Sequence, residues 1–170
     1  MVSGDGVRGV SSTIARCRLL AQYGKNEIRQ MKAFRYLHLR PGDTPPRLAC
    51  TAHYKAVVVV DSEVTPEWQA QISSWLVRSG CLYMMAWGRK CGEWDDSVDV
   101  ASLQMHGSEE DLVMTTWHED ETLEDTFWFA EHCACHPTLV FEYTLVVHIA
   151  LESKENEILK IYRAAQERSV

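Results

Sequence analysis

The sequence predicts an α/β protein: a single domain built as a three-layer sandwich, with a mostly parallel sheet of about five strands and helices on both faces. Three observations lead there. Val57, Val58, Val59 and Val60 follow one another without a polar break, the pattern of a strand covered on both faces, as parallel strands are. Strand-like and helix-like segments alternate from there to the end of the chain, as in sheets joined by helical crossovers. Three of the strand-like runs also end in aromatic or acidic residues. These are Asp61 after the valines, Trp87 after residues 82–86, and Trp117-His118-Glu119-Asp120 after residues 112–116. Parallel strands would gather those ends on one edge, where open α/β sheets place their ligands.

The elements follow in order. Residues 1–30 carry Arg8, Arg16, Arg18, Lys25 and Arg29 against only Asp5 and Glu27. They read as an N-terminal extension outside the fold, with Met31 as the natural start of a domain over residues 31–170. A short amphipathic helix over residues 12–22, docked on the domain, is the alternative. Residues 34–39 have strand-like content, and Pro41-Gly42-Asp43-Thr44-Pro45-Pro46 must be a loop. The valine strand covers residues 55–61. A helix then starts at Thr65, a good N-cap, with Pro66 in its first position and Gly80 to end it. Trp68, Ile72, Trp75, Leu76 and Ser79 form its packing face.

Residues 82–86 complete a β-α-β unit. An irregular insert over residues 88–107 follows, in which Asp95, Asp96 or Ser97 caps a short helix reaching Met105. Residues 111–117 form the third core strand. The next helix begins near Glu121 or Thr122, carries Leu123, Phe127, Ala130 and Ala134 on one stripe, and stops at Pro137. Residues 139–149 are a further strand, and Ser153 caps a last helix with Ile158, Ile161, Tyr162 and Ala165 inside.

Composition narrows the functional classes. The 170 residues are 46% apolar and 24% charged, enough to bury a core without metal or disulfide. A formal charge of −7 argues against binding along a nucleic-acid backbone. No apolar run approaches the roughly 18 residues of a membrane helix, and the N-terminus lacks the apolar core of a secretory signal. Six cysteines without a framework spacing fit a reduced, cytoplasmic chain.

The candidate site is the strand-end edge. Trp87, Trp94 and Trp117 offer flat rings to line a crevice, and Asp95, Asp96, His118 and Glu119 offer polar contacts to a small ligand or a protein partner. An alternative metal site draws on Asp61, His118 and Glu119, since oxygen ligands from neighbouring strand ends assemble magnesium sites for phosphoryl transfer. The plainer role of these acids is to cap the helices they precede. Cys133-Ala134-Cys135-His136 resembles a fragment of a zinc site but lacks paired spacings. Cys91 and His118 would make a thiol-imidazole pair, oriented by Asp95 or Asp96, with Arg89 and Lys90 lowering the thiol pKa. The loop Asp61-Ser62-Glu63-Val64-Thr65-Pro66 has two acids and no glycine. It therefore repels a nucleotide phosphate unless a metal intervenes, and no G-x-G-x-x-G or other nucleotide, hydrolase or metalloprotease motif occurs elsewhere.

The segments Ser79-Gly80-Cys81-Leu82-Tyr83-Met84-Met85-Ala86-Trp87-Gly88, Trp94-Asp95-Asp96-Ser97-Val98-Asp99 and Val113-Met114-Thr115-Thr116-Trp117-His118-Glu119-Asp120-Glu121 resemble a bacterial family classified only as a domain of unknown function. The resemblance covers roughly residues 31–150 and implies an intracellular bacterial protein, with no activity, cofactor or catalytic residue to carry over. The sequence thus leads to a module that binds a small ligand or protein partner at the C-terminal edge of its sheet.

Overall fold

Val57 to Val60 lie in β2 (Tyr54–Val60), and all seven residues of that strand are buried because it runs through the interior of the sheet. The computed structural model describes residues 33–48, 52–106 and 112–168. The expected extension over residues 1–30 and its alternative helix lie outside them. Around β2 the chain forms β1 (Ala33–Leu39), α1 (Pro66–Arg78), β3 (Cys81–Gly88), α2 (Cys91–Met105), β4 (Met114–His118), α3 (Leu123–His132), β5 (Tyr143–Ile149) and α4 (Glu155–Glu167). The five strands make one sheet in the order β1-β5-β2-β3-β4, parallel throughout. This is the expected α/β architecture.

Side chains alternate across each strand, which gives the sheet two apolar faces. Tyr54, Ala56, Val58 and Val60 point to one face with Met84, Ala86, Leu145 and Val147, under Ile72 and Leu76 of α1 and Trp94 and Val98 of α2. Val57 and Val59 point to the other with Tyr83, Met85 and Val146, under Phe127 and Ala130 of α3 and Ile158 and Tyr162 of α4.

α1 begins and ends as its sequence predicts: the Thr65 hydroxyl accepts from the Trp68 amide, Pro66 occupies the first turn, and Gly80 follows with φ +93°. Its tryptophans also hold the proline loop. Trp68 Nε1 donates to the Asp43 carbonyl at 2.8 Å and Trp75 Nε1 to the Pro46 carbonyl at 2.9 Å.

Several boundaries differ from expectation, four of them for an evident reason. α2 starts at Cys91, so Asp95, Asp96 and Ser97 lie inside the helix and do not cap it. Gly88 at φ +95° and Lys90 at φ +50° turn the chain straight from β3 into α2. α3 ends at His132, short of Pro137, because the Cys133 and Ala134 amides both close on the Phe129 carbonyl. β5 starts at Tyr143 rather than at 139, since its neighbours begin there: Tyr143 is in register with Ala33 and Tyr54, the first residues of β1 and β2. α4 is capped at Lys154 and not at Ser153, whose hydroxyl is engaged elsewhere. No helix among the described residues is long and apolar enough to cross a membrane.

Candidate functional site

After β2 the chain turns to α1 on one face, and after β5 it turns to α4 on the other. The neighbouring ends of β2 and β5 therefore send the chain to opposite faces, a topological switch point of the kind at which open α/β sheets place their ligand crevices. β3 and β4 part in the same way, towards α2 and α3. The C-terminal edge thus has two such crevice positions.

The first holds a chain of polar groups. The Asp61 and Ser62 amides both donate to the Ile149 carbonyl, at 2.9 and 3.1 Å, which fixes the end of β2 against β5. His148 is in register with Val59 of β2 and His38 of β1 and is completely buried. Its Nε2 lies 3.1 Å from Asp61 Oδ2 and its Nδ1 lies 2.7 Å from the Tyr36 hydroxyl. The same Asp61 oxygen accepts from Lys154 Nζ at 2.8 Å. The Tyr36 hydroxyl also meets Ser153 Oγ at 3.1 Å and accepts from the Lys154 amide at 3.3 Å. Beside them, His38 Nε2 donates to the Ala150 carbonyl at 2.9 Å.

The proton order in this chain follows from its electrostatics. Burial alone would raise the Asp61 carboxyl, but hydrogen bonds from Lys154 and His148 and the Lys154 charge outweigh it and hold the pKa below the ordinary value. An ionised Asp61 only accepts, so His148 carries its proton on Nε2. Burial pushes the His148 pKa down, with Asp61 opposing, and a neutral ring leaves Nδ1 as an acceptor. Tyr36 then donates to His148, and Ser153 must donate to Tyr36. Thus a hydroxyl on β1 and an imidazole on β5 tie the first turn of α4 to the end of β2.

The second position holds four of the eight residues singled out from the sequence, Trp87, Trp117, His118 and Glu119. Trp87 Nε1 donates to the Glu121 carbonyl at 2.8 Å. His118 is buried, with Nδ1 2.7 Å from the Glu121 carboxylate, Nε2 3.2 Å from Thr116 Oγ1, and its ring against Phe129. Trp117 and Glu119 are exposed at the same strand end. Trp94, in contrast, is 1% exposed in the core, edge-on to Trp68. Asp95 is buried on α2, where burial raises its carboxyl above the ordinary value. Its Oδ1 has no hydrogen-bond partner among the described residues. Asp96 is exposed and lines a shallow groove of about 410 Å³ between α1 and α2.

The other expected groupings fare differently. Cys91 makes no pair with the His118 imidazole: it packs on the α2 face, while the ring meets Phe129 of α3 edge-on. Burial pushes the Cys91 thiol up, more than its hydrogen bond to the His118 backbone lowers it, the reverse of the effect expected from Arg89 and Lys90. Asp61 and His118 end strands separated by β3, roughly 10 Å apart across the sheet, and each is held by other partners. Among the described residues no group of three or more His, Cys, Asp or Glu side chains is placed to hold a metal ion. Cys133 is buried and Cys135 is exposed, both as free thiols.

Sequence reasoning gave Tyr36, His148 and Lys154 no part in the site, and Ser153 only a capping role. One signal was present, a histidine inside the otherwise apolar end of a strand, Val146-Val147-His148-Ile149. Its partner was not readable, because Tyr36 lies 112 residues away.

Comparison with known proteins adds one match. The model of a family described as a domain of unknown function, DUF7684, matches residues 34–165. No curated protein and no solved structure matches the chain.

Proposed function

The chain belongs to the DUF7684 family, and for it we propose a non-catalytic role: a module that binds a small, uncharged, hydroxyl- or amide-bearing ligand in the crevice between β2 and β5. The observation that carries this reading is the ordered polar chain of Asp61, His148 and Tyr36 at the diverging strand ends. Its outer members, Lys154, Ser153 and the partly exposed Asp61, offer a donor, a hydroxyl and an acceptor. Their charges cancel, because Lys154 balances Asp61 and His148 is neutral. A phosphate finds little here. The amides of Asp61 and Ser62 are spent on Ile149, and Thr65 already satisfies the start of α1.

Trp87, His118 and Glu119, with the exposed Trp117, would line the second crevice position and extend the contact area towards β4. The competing reading is metal-dependent phosphoryl transfer through Asp61, His118 and Glu119. It draws no support from the geometry, in which Asp61 and His118 face different neighbours.

A thermal-shift series tests the proposal, using sugars, polyols, nucleosides and carboxamides beside their phosphorylated counterparts and Mg²⁺ or Mn²⁺. A ligand bound only by the folded state must raise the melting temperature. A shift from an uncharged compound that disappears in Ser153→Ala and Lys154→Met supports the crevice. A shift seen only with phosphate esters and divalent metal, and lost in Glu119→Gln, would replace this reading with the phosphoryl-transfer one.

A further inference from the structure

The β4 side of the molecule is built differently from the β1 side. Among the described residues β4 pairs only with β3, so its outer backbone amides and carbonyls face away from the sheet. Edge strands are normally guarded by lysine, proline or a bulge. β1, the opposite edge, follows that rule, with the exposed Arg35 at its centre lying over the Tyr143 ring. β4 reads Met-Thr-Thr-Trp-His, with no cation and no proline.

Large apolar side chains gather on this side. Trp117 on β4 is 48% exposed and Leu103 on α2 is 66% exposed. α2 packs beside β4, where the Thr115 hydroxyl donates to Asp99 at 2.8 Å. Exposed large apolar side chains beside an unpaired strand edge mark interaction sites.

The charge distribution identifies the partner. From Cys91 to Ser153 the sequence contains no lysine or arginine, yet it holds 15 of the chain's 24 acidic residues. Glu93, Asp96 and Asp99 lie exposed on α2 around Val100 and Leu103, and Glu119 and Asp120 lie exposed just past β4. This field repels a second copy of the same edge and attracts a cationic one. It does for β4 what a lysine does elsewhere, by discouraging self-pairing while leaving a basic strand welcome.

We infer that the free edge of β4 and the adjoining face of α2 form a docking surface for a basic, extended segment of a partner protein, which adds beside β4 as a sixth strand. Backbone hydrogen bonds to β4 supply the register. Apolar residues of the segment rest on Trp117 and Leu103, and its lysines or arginines meet Asp99 and Glu119. The surface is separate from the crevice at Asp61 and does not depend on a ligand there.

The test uses the full chain and a short fluorescent peptide that alternates lysine and valine, followed by anisotropy. The expected result is saturable binding that weakens as salt rises. Trp117→Ala should weaken it by about tenfold or more, the loss typical of an anchor tryptophan. Leu103 is largely exposed, and Leu103→Lys should weaken binding as well, so the result does not hang on one variant's folding. A peptide with glutamate for lysine, or with alternate backbone amides N-methylated, should not bind. Equal binding of either control peptide, or no binding of the lysine peptide, would overturn the proposal. Sedimentation in the same buffer covers the remaining occupants. Self-association abolished by Trp117→Ala would give the face to a second copy. Peptide binding that emerges only in an Arg16→Glu, Arg18→Glu variant would give it to the chain's own basic N-terminal stretch. Either result overturns the partner assignment.

Discussion

The Tyr36 hydroxyl stands 2.7 Å from Nδ1 of His148, joining the edge strand β1 to its neighbour β5 at the edge of the sheet where the strands end. The contact does more than pair two side chains. Through the Lys154 amide and Ser153 it also secures the start of α4, a helix with no side-chain cap of its own. Removing the hydroxyl leaves a buried imidazole nitrogen unpaired and the first turn of α4 less held. Tyr36→Phe should therefore lower stability by about 1–3 kcal/mol, the penalty for an unsatisfied buried acceptor. Urea unfolding monitored by circular dichroism checks this, and an unchanged m-value would show that the native fold persists.

His148 links the same chain to pH. Its folded pKa lies below its ordinary value because burial outweighs Asp61, so the unfolded chain takes up a proton before the folded one does. Stability then rises with pH where the unfolded state binds more protons. The contribution is complete above an unfolded pKa of about 6.5 and is lost as pH falls through the lower folded value. The groups facing the ring are Asp61, Tyr36 and His38, with Lys154 beyond Asp61. Asp61 itself is held low and keeps its charge across this range. Unfolding free energies measured from pH 7.5 to 5 should show a decline that His148→Asn removes. An equal decline in the variant would assign it to another histidine.

A second buried ionic group lies at the other end of the sheet. Lys55, completely buried in β2, donates to the Ala130 carbonyl and lies 3.4 Å from Glu131 at the end of α3. Glu131 also accepts from Tyr162 at 2.8 Å and Thr144 at 3.1 Å. Burial would raise its carboxyl, but the Lys55 charge and these hydrogen bonds bring it below the ordinary value. Deleting one member of such a group costs more than replacing both. Glu131→Leu should destabilise by about 3–5 kcal/mol, and adding Lys55→Met should recover most of that loss. A double-mutant cycle by chemical denaturation measures the difference. Simple addition of the two losses would mean that the ammonium finds adequate partners without Glu131.

The sequence made the layers legible and left the site largely hidden. The valine run of β2, the cap at Thr65 and the stripe of Ile158, Tyr162 and Ala165 each express a local rule, and all three hold. The same rules misplaced α2. Three potential caps in a row, Asp95, Asp96 and Ser97, drew its start a turn too far along, whereas the observed start depends on backbone at Gly88 and Lys90. Strand-end position drew attention to Trp94, but the longer helix carries that ring into the core. The chain of Asp61, His148, Tyr36 and Lys154 exists only because β5 inserts between β1 and β2. No local pattern records that insertion.

Gly88 gives the sharpest test of how the crevice edge is built. It ends β3 at φ +95°, and a Cβ placed there would lie 2.5 Å from the Val60 carbonyl oxygen, a contact real structures do not make. That oxygen accepts from the Arg89 amide at 2.9 Å, so relieving the clash must also disturb the bond that closes the turn into α2. Gly42, at φ +93° with open space around it, isolates the backbone term. Gly42→Ala should cost about 1–2 kcal/mol from left-handed strain alone. Gly88→Ala should cost clearly more, because β2 and β3 cannot part without moving Asp61. Thermal and urea unfolding of both variants decide it. Equal losses would show that the end of β2 yields freely, and that the Asp61 crevice is less firmly set than its hydrogen bonds imply.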